Sequence, residues 1–238
     1  MILVATVICA CACVALVGAE VRPARIARSI AKPIASLAFI AVGVLAMRAG
    51  GLLQVPRFDG EPPGWFMRQA LDGFQRFVVI GLVLGAIGDV ALLGSSNRSF
   101  MAGLVAFLFG HVAYVVACAY LLSPPEWLEF AGVYGALPVA AGIAALAWLW
   151  PRLGTMRIPV GVYVFTIILM VVAAIAIARS DALPRRNGEL LAAGAVLFFA
   201  SDLAVARDKF VEKSFWNRAW GLPAYYAGQL LIAWSVAG

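Results

Sequence analysis

Charge is scarce in this chain. Only 13% of its 238 residues are Asp, Glu, Lys or Arg, against 64% that are hydrophobic, and the mean hydropathy is +0.96. Soluble domains carry about 25% charged and 45–50% apolar residues, so the deficit excludes a water-soluble fold and a disordered chain. It also excludes a nucleic-acid partner despite the net charge of +6, because charges confined to gaps between apolar runs cannot form a continuous basic face. Histidine is scarcer still: His111 stands alone, which excludes a multi-histidine zinc centre; no cofactor is expected, and a metal site would have to be carboxylate-rich. The four cysteines, Cys9, Cys11, Cys13 and Cys118, all lie in apolar runs with no loop cysteine to pair with and no soft-metal spacing. They read as small buried hydrophobes.

What the chain has in abundance is apolar runs of membrane length. A spanning helix takes roughly 20 residues, and such runs occur at 2–19, 33–50, 74–94, 99–122, 127–150, 156–178, 188–207 and 219–237. The expected fold is all-α, a single eight-helix transmembrane domain over 1–238 with membrane lipid as its surroundings. The first run lacks a basic leader and continues into Glu20 and Arg22, so it reads as a span and not as a cleaved signal. Residues 51–73, with Pro56, Pro62, Pro63 and Trp65, read as an external loop lying on the membrane surface. Trp65, Trp127, Trp148, Trp150, Trp216 and Trp220 fall near run ends, and Trp234 near the outer end of the last, where interfacial aromatic belts form. The glycines at 81, 85, 88, 132, 135 and 142 suit close helix packing.

Alternate loops divide the Lys and Arg residues eleven to seven, and with their acids included one side carries +8 while the other is neutral. The positive-inside rule makes the first side cytoplasmic, with both termini outside and, in a bacterium, the inner membrane as the location. Of 30 charged residues, 28 fall in loops or at span ends. The two that do not are Asp89 and Asp202, both expected at matched depth in the cytoplasmic half. Each follows a glycine by eight residues, Gly81 and Gly194, and Pro33 and Pro159 open the preceding spans. This echo suggests a parallel four-plus-four repeat.

Ionisable groups within spans cost about 2.5–3.5 kcal/mol on insertion scales and face polar cavities. Further polar groups able to reach the two acids are Lys32 at the start of the second span, His111 and Tyr114 three residues apart, Tyr163, Ser201, Tyr225 and Tyr226, and Gln229. Two carboxyl groups in one dry cavity can hold one acid protonated and the other ionised, the equipment of general acid and base catalysis. Three function classes fit. An intramembrane aspartyl protease would need Gly-x-Gly-Asp, but Ala86 stands at the first glycine, no Tyr-Asp pair occurs, and Leu222-Pro223-Ala224 is not Pro-Ala-Leu. A proton-coupled transporter could use both acids as a relay. A lipid hydrolase could draw its substrate from the bilayer.

Lys32-Pro33, Gly88-Asp89, Phe107-x-x-Gly110-His111-x-x-Tyr114, Ser201-Asp202 and Tyr225-Tyr226-x-x-Gln229 follow one another across the eight spans. In that order they resemble the YhhN-type lysoplasmalogenase family. The resemblance covers nearly the whole chain and implies hydrolysis of the vinyl ether bond of a lysophospholipid taken from the bilayer, yielding a fatty aldehyde and a glycerophospho-alcohol. Such a bond breaks after protonation at carbon, through an oxocarbenium ion that adds water. Asp89 and Asp202 would serve as acid and base, in either order. His111, Tyr114, Tyr163, Ser201, Tyr225, Tyr226 and Gln229 would contact substrate or water, and Lys32 would hold the phosphate or bias an aspartate's proton.

Overall fold

The computed structural model describes residues 1–21, 24–49 and 64–237. Eight helices run in order: α1 (Ile2–Val21), α2 (Arg25–Ala49), α3 (Gly64–Ala91), α4 (Asn97–Ala119), α5 (Pro124–Leu149), α6 (Arg157–Arg179), α7 (Arg185–Phe210) and α8 (Phe215–Trp234). Two single 3-10 turns join α5 to α6, and no strand occurs among the described residues. Serine residues start several helices by occupying the N-cap, where a hydroxyl or its neighbour satisfies exposed backbone donors. Ser96 accepts from the Ser99 amide at 3.0 Å ahead of α4, and Ser214 from the Trp216 amide at 3.3 Å ahead of α8. Ahead of α5, the Ser123 amide donates to the Glu126 carboxylate at 2.7 Å.

Seven of these helices are long and apolar enough to cross a membrane, which makes the chain a multi-pass membrane protein. The eighth is the exception. Asn217, Arg218, Tyr225, Tyr226 and Gln229 dilute the apolar content of α8, and all but Arg218 are buried. It is an interior helix that packs on α7, α2 and α1, with a smaller contact to α3. In lipid, such polar groups persist only where they face protein or a cavity. Around α8 the bundle is built from tightly packed pairs, α1 on α2, α3 on α4, α5 on α6 and α7 on α8, with α4 against α6 closing the circuit. The α5 helix packs mainly on α6 and offers Leu128, Val133, Leu137 and Ile143 to lipid.

Several boundaries differ from the sequence reading. Residues 64–73 are the start of α3 and not loop, so Arg68 and Asp72 ride on helix turns. The proposed surface segment at 51–63, Arg57 within it and Arg22 lie outside the described residues. Because α3 ends at Ala91, Asp89 sits in its last turn, whereas Asp202 lies two turns before the end of α7. Lys32 and Pro33 stand inside α2, which begins a full two turns earlier than read. Gly132 does not pack: it breaks α5 with φ 52° and ψ −138°, a conformation that favours glycine. Trp127 is buried, its indole N–H donating to the Leu122 carbonyl at 2.9 Å, and so is no interfacial anchor. All four cysteines are free thiols, Cys11 exposed and the others buried.

Candidate functional site

The end of α3, the start of α2, the middle of α6, the late part of α7 and the first half of α8 surround one cavity of about 320 Å3. Asp89 and Asp202 both line it, together with Lys32, Tyr163, Ser201 and Tyr225. Its deeper wall is apolar, with Leu104 and Phe107 from α4, Val164 and Ile167 from α6 and Phe199 from α7. Its mouth carries Glu20, Arg28, Asp208, Lys209 and Arg218. The cavity therefore combines an ionic and a hydrocarbon lining, and both carboxyl groups face it.

Asp89 is surrounded by donors. The Lys32 ammonium lies 3.3 Å from Oδ1, the Ser36 hydroxyl 2.6 Å from Oδ2, and the Tyr225 hydroxyl donates to Oδ2 at 2.9 Å. Helical spacing explains the convergence, because Lys32 and Ser36 are four apart and share one face of α2. A second tier extends outward: Tyr114 donates to Gln229 Oε1 at 2.7 Å, and Gln229 Nε2 donates to the Tyr225 oxygen at 3.3 Å. Tyr114, Gln229, Tyr225 and Asp89 thus form one line of hydrogen bonds linking α4, α8 and α3, every donor pointing toward the acid. With one cation and two hydroxyls directed at it, Asp89 is provided for as a carboxylate.

Asp202 has a different setting. Tyr163 donates to its Oδ2 at 2.8 Å, and His111 Nε2 lies 3.6 Å from the same oxygen. The histidine tautomer follows from its other nitrogen. Nδ1 is 2.6 Å from the Phe107 carbonyl, which can only accept, so Nδ1 carries a hydrogen. The buried Nε2 is left without a hydrogen-bond partner. A lone pair facing a carboxylate is repulsive, and one proton resolves it, carried by either the imidazole or the acid. The two acid clusters are joined by aromatic rings: Phe198 meets His111 at 4.6 Å, Tyr225 at 5.2 Å and Phe107 at 6.1 Å, all edge to face.

The YhhN family matches residues 27–236 of this chain. The chain belongs to the YhhN family. Lysoplasmalogenase TMEM86A of Bos taurus is 37% identical over 160 residues, covering 66% of this chain and 64% of that protein. TMEM86A of Homo sapiens is 34% identical over 160 residues, with the same coverage of 66% and 64%. A lysoplasmalogenase of Mycobacterium bovis is 32% identical over 166 residues, covering 66% of this chain and 59% of that protein. The matches thus span less than two thirds of the length of these relatives. No solved structure matches the chain at a significant level.

Within this YhhN chain the predicted site residues separate into two groups. Lys32, Asp89, Tyr163, Ser201, Asp202 and Tyr225 line the cavity, whereas His111, Tyr114, Tyr226 and Gln229 stand behind its wall. Lys32 is paired with Asp89. The Ser201 hydroxyl is turned to the Phe198 carbonyl at 2.7 Å, and Tyr226 is buried beside Phe39 and Tyr225 with a hydroxyl that meets no partner. No three His, Cys, Asp or Glu side chains converge as metal ligands among the described residues.

Two sets of residues at the YhhN site escaped the sequence reading. Ser36 could have been found, since it stands one helical turn beyond Lys32. The mouth network could not: Glu20 pairs with Arg28 at 3.0 Å and with Arg218 at 2.6 Å, and Arg218 reaches Asp208 at 3.2 Å. Those four side chains come from α1, α2, α7 and α8, and along the chain they look like ordinary loop charges.

Proposed function

We propose that this YhhN-family chain is an integral membrane hydrolase that cleaves the vinyl ether bond of lysoplasmalogen, or of a related single-chain lipid, to a fatty aldehyde and a glycerophospho-alcohol. The observation that carries the reading is the shared cavity, in which Asp89 and Asp202 face one space that is ionic at its mouth and apolar in its depth. A lysolipid has the same gradient along its length. The relatives named lysoplasmalogenase support the same reading.

The different hydrogen bonding of the two acids supports a division of labour between them. Asp202, with the proton it shares with His111 Nε2, is the general acid. It delivers that proton to the vinyl carbon remote from oxygen, and the adjacent carbon becomes an oxocarbenium ion. Asp89, held as a carboxylate by Lys32, Ser36 and Tyr225, opposes the positive charge, much as the second carboxylate does in glycoside hydrolysis. Water entering from the mouth adds to the oxocarbenium carbon and gives up its proton to the Asp202–His111 pair. The hemiacetal then collapses, its hydroxyl proton passing through the same pair to the departing glycerol oxygen. Bonds and protons balance, and no other reactant is consumed.

The test is release of aldehyde from lysoplasmalogen by the purified protein in detergent. Asp202→Asn and Asp89→Asn are each expected to lower turnover by about 10²–10⁴-fold; full activity in either variant removes that residue from the mechanism. Rate-limiting carbon protonation also predicts a sizeable solvent deuterium isotope effect on turnover. Its absence, with chemistry shown to limit the rate, sinks the vinyl ether step.

The same proposal includes the single domain, the cytoplasmic location of the cavity mouth with both termini outside, a bacterial inner membrane, and the four-plus-four repeat. What supports the repeat is the packing. The α2 and α8 helices supply the partners of the acid on α3, as α6 and α4 do for the acid on α7.

A further inference from the structure

Beside the mouth lies a second hollow, of about 460 Å3, between the first turn of α2, the α3–α4 turn and the start of α8. Arg25, Arg28, Lys213 and Arg218 line it together with Gly94 and Ser95, and among the described residues no carboxylate lines it. Positive-inside bias accounts for cations on this side of the membrane, but it does not require four of them to converge on one concavity. Nor does it account for how two are held. The Glu20 carboxylate, 9% exposed, grips Arg28 and Arg218 at 3.0 Å and 2.6 Å, fixing the guanidinium forks of α2 and α8 relative to each other. Arg25 and Lys213 are exposed and make no ion pair among the described residues. Even after Glu20 and Asp208 are counted against Arg28 and Arg218, this hollow keeps a surplus of positive charge.

We infer that this hollow is a phosphate site, which receives the headgroup phosphate of the single-chain lipid whose ether bond lies between Asp89 and Asp202. The inference rests on the proposed hydrolase reading and deepens it. The two spaces share Arg28, Lys213, Arg218 and the Gly94–Ser95 turn as a common wall, so one molecule can occupy both. A glycerol backbone is the only connection needed between phosphate and ether oxygen in such a lipid. Arginine forks orient phosphate through paired N–H bonds, and Lys32, tied to Asp89, takes no part. Because no acid among the described residues lines the hollow, it recognises the phosphate and ignores a headgroup amine. A bare phosphate monoester, with more negative charge, binds at least as tightly as a phosphoethanolamine.

Three saturated ether lipids that cannot be cleaved, bearing a phosphate, a phosphoethanolamine or an uncharged glycerol head, test this by titration into the full-length protein in phosphatidylcholine nanodiscs. The phosphate lipid is expected to bind at least as tightly as the phosphoethanolamine lipid and about tenfold or more tighter than the uncharged one. Arg25→Gln/Lys213→Gln is expected to weaken both phosphate-bearing lipids by about tenfold and leave the uncharged lipid unchanged, with Arg25→Lys/Lys213→Arg retaining affinity. Equal binding of all three lipids, or indifference to the Gln substitutions in protein of normal unfolding midpoint, overturns the site. Displacement by phosphatidylglycerol mole for mole assigns the hollow to bulk anionic lipid and overturns it as well. Since no lipid here is cleaved, phosphate-dependent binding in a protein that releases no aldehyde from lysoplasmalogen overturns the hydrolase alone.

Discussion

Without the Lys32 ammonium, Asp89 would keep its two hydroxyl donors but lose its counter-charge, at a side chain only 3% exposed. Breaking a buried ion pair from one side costs about 3–5 kcal/mol. Lys32→Met is therefore expected to lower the unfolding midpoint in detergent further than Lys32→Met/Asp89→Leu, in which no orphan charge remains; equal losses would show the pair to be uncoupled. The hydrogen-bond line behind Asp89 predicts a gradient. Tyr225→Phe removes a bond to a charged group, worth about 1.5–3 kcal/mol, whereas Tyr114→Phe removes a neutral one, worth about 0.5–1.5 kcal/mol. Unfolding midpoints should fall in that order, and a larger loss at Tyr114 contradicts the polarity assigned to the line. At this scale the two aspartates were legible in the sequence because a carboxylate inside an apolar run has few places to go. Their different hydrogen-bond partners were not, since these come from four other helices and depend on which face each helix presents.

Between α7 and α8 the backbones approach until side chains no longer fit. A Cβ on Gly194 would stand 2.8 Å from the Gly228 carbonyl oxygen, and one on Gly228 would stand 2.9 Å from the Gly194 carbonyl oxygen. Backbone cannot yield as a flexible side chain can, so Gly194→Ala is expected to separate the two helices that carry Asp202 and Tyr225 and to lower both unfolding midpoint and activity. Gly161→Ala, on α6 with open space around its Cβ, is the control, and by helix propensity alone it should stabilise by up to about 1 kcal/mol. Equal effects of the two substitutions would refute the close approach. The apolar runs located all eight helices, but their ends were misjudged wherever charge entered a helix. Arg68 and Asp72 truncated the reading of α3, and Arg25 and Arg28 that of α2, because hydropathy does not separate a charged helical turn from a loop. The last run, α8, is the least apolar of the eight because its polar residues, Tyr225 among them, are turned to the site.

For the molecule as a whole, the surplus of Lys and Arg and the cavity that would bind substrate belong to the same end of the bundle. The sequence disclosed the first through simple counting of Lys and Arg. The second requires the closed packing of α2, α3, α4, α6, α7 and α8, which no local pattern specifies. One consequence concerns the two sides of the bilayer. With the proposed lipid substrate, a mouth framed by the ends of α1, α3 and α7 and the starts of α2 and α8 would admit it from one leaflet only. In sealed vesicles with the protein inserted in a single direction, turnover should stop once the substrate of that leaflet is spent, and resume when a scramblase is added. Complete consumption without scrambling would mean a second entrance. If the proposed hydrolysis is this chain's reaction, its rate would report on lipid sidedness, set by transbilayer supply as much as by its own chemistry.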